Sequence, residues 1–300
     1  MLLYLRSPMK KYLVLSLLLL AISCGKAPDS PREKKPIVYV SIAPYQGLAQ
    51  RLAGPSIQVE TIVPESANPH SFEPTSKQVA RMNESRIWFC IGEPFEKKLL
   101  PLLKKRNKDL VSYDLREKIE LIAEEGLSCK HCSMDHQDRH IWMSPKDTQI
   151  QVTQMASALE KTFPEKAEEI SKNLEVLLAD LKQLDQKIHS LLDHSRRRSI
   201  LVSHPAFGYF CRDYGCHQLS VEYEGKDPRP KHIEDILARA AKEHTEIGIV
   251  LPQYNNKGAQ LIAEKLHIPV CMIDPYSPDY FHTLLKVAQC IADAEATQQI

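Results

Sequence analysis

Short apolar, β-branched runs recur along this chain, each followed by a polar turn and then a stretch in which apolar residues return every three or four positions. In the first half the runs cover 37–41, 58–63, 87–91 and 110–113, with helical stretches at 46–53, 75–83 and 95–105. In the second half they cover 200–203, 218–221, 247–251 and 270–273, with helical stretches at 206–214, 231–243, 257–266 and 280–293. Such alternation implies parallel strands covered by helices on both faces. The pattern predicts an α/β fold of two lobes, each with a mostly parallel four-stranded sheet.

Between the halves, Ile170, Leu174, Leu177, Leu181, Leu184, Ile188 and Leu191 step by four and three and form one apolar stripe. Pro164 suits the start of a helix, and Ser195 lies near its end. About 30 residues at 1.5 Å each give a rod of about 45 Å. Heptad spacing also fits a coiled-coil dimer, but so short a stripe between two globular halves favours a rigid spine packed across both lobes. The expected division is a leader over 1–23, a tether over 24–36, a first lobe over 37–162, the linking helix over 163–195 and a second lobe over 196–300.

The ends change the picture further. Lys10 and Lys11 precede an apolar run over 12–22, too short to span a bilayer and shaped like an export signal. Ser23-Cys24-Gly25 resembles a lipobox, so Cys24 is expected to carry lipid at the mature N-terminus, and Met9 offers a cleaner start than Met1. Residues 25–36, rich in Pro, Lys, Glu, Asp and Ser, read as a flexible tether. The folded part is then periplasmic or at the cell surface, held to the membrane by Cys24. Of 39 basic residues, the leader removes Arg6, Lys10 and Lys11, leaving 36 against 38 acidic ones. That balance argues against nucleic acid as a partner. Eight cysteines less Cys24 leave an odd number. Cys90 and Cys271 lie in apolar strand-like runs and read as small core residues, and a five-residue offset would place Cys211 and Cys216 on different sides of one helix.

Candidate chemistry centres on His70, His140 and His204, each in an unusual proline-containing turn: NPHSFEP from Asn68, HIWMSP from His140 and SHPAFGYF from Ser203. Asp274, in Ile273-Asp274-Pro275-Tyr276, makes a fourth. Prolines near each one argue for shaped loops and not helix faces. A buried histidine often only satisfies a carbonyl, but three imidazoles and a carboxylate can close a tetrahedron around zinc. Ligands about seventy residues apart must be gathered by a whole folded core. His70, His204 and Asp274 follow strands, where open α/β sheets bind ligands, so the site is expected in the cleft with two ligands from each lobe.

These motifs, together with GKDPRPKHI from Gly225, LPQYNNKGAQLIAEKL from Leu251 and IDPYSPDY from Ile273, resemble the TroA/ZnuA-like substrate-binding lipoproteins of zinc and manganese ABC transporters. The resemblance covers nearly the whole mature chain. It implies two lobes on a rigid helix, metal held by His70, His140, His204 and Asp274, and a monomer that delivers its cargo to a permease and its ATPase. Histidine at the third position resembles the zinc-type branch, with Mn2+ or Fe2+ as the alternative cargo; imidazole favours zinc, and oxygen-rich sites suit manganese. Leu251 and Asn68 stand where relatives usually carry acids. In some zinc-type relatives a cysteine of the last helix pairs with one on the preceding central strand. Cys290 is present, but 247–251 offers no partner, so no disulfide is expected there.

Cys129, His131, Cys132 and His136 lie in a short segment before His140 that resembles the histidine-rich loop of zinc-type relatives. Thiolates and imidazoles there could capture soft metals, and a plain solvated loop with a local disulfide fits equally. A metallohydrolase would use similar ligands, but no HExxH motif is present and a site closed by Asp274 leaves no activated water. Glu73 and Glu222 could serve as bases in that reading, without anything to select them. A metal-binding adhesin remains a third class.

Overall fold

The structure is a computed structural model, describing residues 35–65, 67–123, 137–192, 198–222 and 228–298. Cys24, Cys129, His131, Cys132 and His136 lie outside the described residues.

The first lobe contains β1 (Ile37–Val40), α1 (Ala43–Ala53), β2 (Gln58–Thr61), α2 (Ser76–Met82), β3 (Ser85–Cys90), α3 (Pro94–Arg106) and β4 (Val111–Asp114). All its strand pairs are parallel, in the order β2-β1-β3-β4. After α4 (Pro145–Thr162) comes α5 (Ala167–Leu191), and the second lobe follows with β5 (Arg198–Val202), α6 (Gly208–Tyr214), β6 (Cys216–Ser220), α7 (Pro230–Lys242), β7 (Ile247–Val250), α8 (Lys257–Leu266), β8 (Val270–Met272) and α9 (Tyr280–Gln298). Its strands are again parallel, in the equivalent order β6-β5-β7-β8. The inner strands β1, β5 and β7 are buried along their whole length, which explains why they read as unbroken apolar runs.

Local chemistry sets the element boundaries. Proline stands in the first turn of α1, α3, α4 and α7, where its missing N–H costs nothing. Thr75 and Gln78 close a capping box on α2, and Ser144 Oγ accepts from the Asp147 N–H at the start of α4.

The apolar stripe forms a single helix of 25 residues, about 38 Å long. Pro164–Lys166 makes a 3-10 turn before it, so the regular helix starts three residues later than the proline suggests. Ile170, Leu177, Leu181, Leu184 and Ile188 are buried, and Leu174 and Leu191 pack at the margin. The stripe lies against α1, α4 and α9, so elements of both lobes rest on one rod, as the spine reading requires.

Two cysteine expectations are corrected. Cys271 is not a simple core residue, and Cys290 does have a partner: the two form a disulfide. The partner comes from β8 at the sheet edge and not from central β7. Cys211 and Cys216 do not share a helix: α6 ends at Gly215, whose φ of 68° suits a residue without Cβ. The chain then turns into β6, and the Cys211 thiol hydrogen-bonds Cys216, holding the Cys216 thiol below its usual pKa. Both carry reduced thiols.

Candidate metal centre

Three loops at the carboxyl ends of the strands bring His70, His140 and His204 together. His70 sits in a 3-10 turn, Pro69–Ser71, whose first N–H groups need an acceptor; Asn68 Oδ1 takes the His70 N–H at 2.9 Å. His140 precedes the 3-10 turn Ile141–Met143 and α4. His204 follows β5 by two residues, in a tight turn in which the Ala206 N–H reaches the His204 carbonyl at 2.8 Å. The ligand atoms of the three lie within 4.8 Å of one another. His140 Nε2 is 3.3 Å from both His70 Nε2 and His204 Nε2.

Each imidazole is backed by a carboxylate. His70 Nδ1 meets Glu93 Oε2 at 3.0 Å, His140 Nδ1 meets Asp138 Oδ1 at 2.7 Å, and His204 Nδ1 meets Glu222 Oε2 at 2.5 Å. A carboxylate there fixes the proton on Nδ1 and leaves Nε2 with an unprotonated lone pair. Three such lone pairs therefore point at one another, an arrangement that repels unless a cation sits among them. A tetrahedral zinc with bonds of about 2.0–2.1 Å sets its ligands about 3.3–3.4 Å apart, which is the spacing of His140 Nε2 from each of the other two Nε2 atoms.

Electrostatics fit the same purpose. Burial, reinforced by His140 and His70, pushes the His204 pKa well below the usual imidazole value, so it is neutral and able to ligate at pH 7. Glu93 is fully buried; burial pushes its carboxyl up, but His70, Arg139 and His140 outweigh that and hold it below its normal range. The side chains of His140 and His204 are each 5% exposed, whereas that of His70 is 24% exposed. The open side of the cluster is therefore at His70.

Packing fixes these groups. Gly208 lets Asp138 approach, because a Cβ there would lie 2.5 Å from Asp138 Oδ2. Tyr254 stacks on His204 with centroids 4.0 Å apart. Tyr276 is fully buried, and its hydroxyl lies 3.1 Å from His140 Nε2 and 3.4 Å from His70 Nε2. Burial, Tyr254, Glu93 and Asp138 push that hydroxyl's pKa well up, so it keeps its proton at neutral pH. Trp142 Nε1 donates to the Pro275 carbonyl at 2.8 Å, tying the His140 turn to the second lobe.

Asp274 stands beside this cluster. Its Oδ1 accepts from Gln253 Nε2 at 2.8 Å and from the Tyr276 N–H at 2.9 Å. Among the described residues it is not one of the group whose donor atoms lie within 4.8 Å of one another. Glu93, Asp138, Tyr254 and Tyr276 were not singled out by the sequence. Their signals are modest: an acid just past a strand, and an acid two residues before a ligand. Glu222 stands on His204 Nδ1.

The sequence matches the family described as zinc-uptake complex component A, periplasmic, over residues 38–294. A protein of Chlamydia trachomatis serovar D, described only as metal-binding, is 32% identical over 285 residues, covering 94% of this chain and 99% of that one. A crystal structure of ZnuA superposes with a TM-score of 0.79 at 29% identity, covering 87% of this chain and 99% of that chain. A zinc-bound deletion mutant of ZnuA gives the same TM-score and identity, over 87% and 98% of the chains. With its two parallel-sheet lobes, its linking helix and its histidine cluster, the chain belongs to the ZnuA family of extracytoplasmic metal-binding receptors, which serve ABC transport and are not enzymes.

Proposed function

We propose that the cargo is zinc, captured by His70, His140 and His204 in the cleft and passed to an ABC permease and its ATPase. The observation that carries this reading is the convergence of three Nε2 atoms, each with its Nδ1 on a carboxylate. Imidazole nitrogen favours zinc over manganese, which prefers oxygen. The zinc-bound ZnuA mutant at 29% identity supports the same cargo. A fold neighbour in complex with Mn2+, the solute-binding protein FpvC of Pseudomonas aeruginosa, is 17% identical and speaks only to fold. Asp274, beside the cluster, supplies the fourth donor. Residues 1–23 act as leader, and lipid on Cys24 holds a monomeric receptor at the membrane through the 25–36 tether; among the described residues no helix is long and apolar enough to cross a bilayer. Cys129, His131, Cys132 and His136 form an auxiliary capture loop.

The test is elemental analysis of protein purified without added metal, followed by titration of zinc against manganese. One zinc per chain, not displaced by excess manganese, is expected. Manganese retained in the presence of equimolar zinc would overturn the choice of cargo.

A further inference from the structure

The end of the first lobe opposite the histidines carries a basic surface that metal binding does not use. In a parallel sheet each connecting helix runs back against the strands, so α3, which leaves β3 beside the metal loops, ends at the amino edge of the sheet. Asn107, just past that helix, donates from Nδ2 to the Ser85 carbonyl at 2.7 Å, and Ser85 pairs with Ile37 at the start of β1. The N-terminal segment enters at the same place, where the Gln58 N–H holds the Pro36 carbonyl at 3.0 Å. The last turn of α3 therefore lies one strand away from the point of entry.

Lys104, Lys105, Arg106 and Lys108 are all exposed here, and so is Arg86, the extra residue of a β3 bulge against β1. Among the described residues no ion pair engages any of these cations; Glu84 and Asp109 are the acids that flank them in sequence. Cations in the last turn of a helix suit its dipole, but Arg86 and Lys108 lie outside the helix. The dipole also gives no reason for Leu102, which shares a face with Lys105 and Arg106 and is 59% exposed. Val111, at the start of the edge strand β4, is exposed as well. Apolar side chains set among cations fit a surface that is anionic outside and apolar beneath.

We propose that this edge of the first lobe rests on an anionic lipid surface, with the cations over phosphate headgroups and Leu102 at the acyl boundary. The inference rests on the reading of Cys24 as the lipid anchor. Residues 24–36 reach at most about 40 Å when extended, which keeps this edge near the membrane. The histidine loops stand at the opposite ends of the strands, so in this posture the metal cleft opens away from the lipid and loads from solution. Delivery to a permease then requires the receptor to lift off and turn over, and a contact made through screened charges releases readily.

The full chain is attached to vesicles of phosphatidylcholine, with or without phosphatidylglycerol, and treated with an uncharged, water-soluble acylating reagent; mass spectrometry reads the rate at each lysine. With phosphatidylglycerol, acylation of Lys104, Lys105 and Lys108 should slow at least about fivefold, the effect of roughly one headgroup contact per cation. Lys257 and Lys265, exposed in the second lobe, should keep their rates, and high salt should remove the difference. In the triple variant Lys105→Glu, Arg106→Glu, Lys108→Glu, Lys104 should react equally on both vesicles. The comparison of vesicles uses the parent chain, so it stands whether or not the variant folds. Equal rates on both vesicles, or slowing shared by Lys257 and Lys265, would overturn the proposal. Slowing seen only with a permease in the vesicle would assign the surface to a protein partner instead. A chain that floats with neither vesicle overturns the Cys24 anchor and this surface with it, whereas a chain that floats with both and shows no slowing overturns this surface alone.

Discussion

Replacing Glu222 by glutamine tests whether the carboxylates behind the histidines tune the site or merely fill space. Glu222 Oε2 sits 2.5 Å from His204 Nδ1, and its side chain is 15% exposed. Glutamine keeps an acceptor oxygen but loses the charge. Hydrogen bonds to charged groups contribute about 1.5–3 kcal/mol, against about 0.5–1.5 for neutral pairs. The difference of about 1–1.5 kcal/mol corresponds to roughly a tenfold loss of zinc affinity. Glu222→Ala also removes the acceptor, and its effect should approach the upper end of the roughly 10- to 100-fold range for groups that orient metal ligands. The assay is competition against a zinc chelator at pH 7.5 and fixed ionic strength, with stoichiometry and circular dichroism as controls. Parental affinity in both variants, with the fold intact, would refute the view that Glu222 raises the basicity of His204.

The metal-free protein should lose stability in acid: His204 has a folded pKa held well below 6.5 by burial and by His140 and His70, so the unfolded chain takes up the proton first and stability falls as pH drops below about 6.5. A metal-free melting temperature that rose or stayed flat from pH 7.5 to 5 would contradict this sign. Deleting residues 129–136 should lower total zinc uptake or slow loading at scarce zinc while leaving the tightest constant nearly unchanged, measured in reductant with a competing chelator; a large loss at the tightest site would mean that the loop supplies a primary ligand. Cys271 and Cys290 close a loop with a sequence separation of 19, so replacing both by alanine should cost roughly 3 kcal/mol in chemical denaturation, and an unchanged midpoint would show that the cross-link does not constrain the unfolded chain.

Most of the frame was legible because buried parallel strands and an amphipathic spine leave strong patterns in sequence. The β5 run, the Ile170 to Leu191 stripe and the Ser144 cap each declare themselves locally. The three histidines were legible for a different reason: each stands in a proline-bearing turn near a strand or helix end. What stayed hidden depends on contacts between distant segments. Sheet order places β8 at the edge beside α9, and nothing local in the Cys271 run tells an edge strand from a core one. Glu93 and Asp138 are acids like any others until the fold sets them on Nδ1 of His70 and His140. Tyr276 lies in a motif that draws the eye to Asp274, and only the turn geometry brings its hydroxyl to the histidines.

The central claim is that one zinc is held by imidazoles converging from both lobes, and His204 is the member contributed by the second lobe. The most direct measurement is zinc stoichiometry and affinity, by chelator competition, of parent and His204→Ala at neutral pH, with the metal-free fold checked by circular dichroism. One tightly bound zinc is expected in the parent and none in the variant, with both metal-free proteins folded. A folded His204→Ala that bound one zinc as tightly as the parent would contradict it.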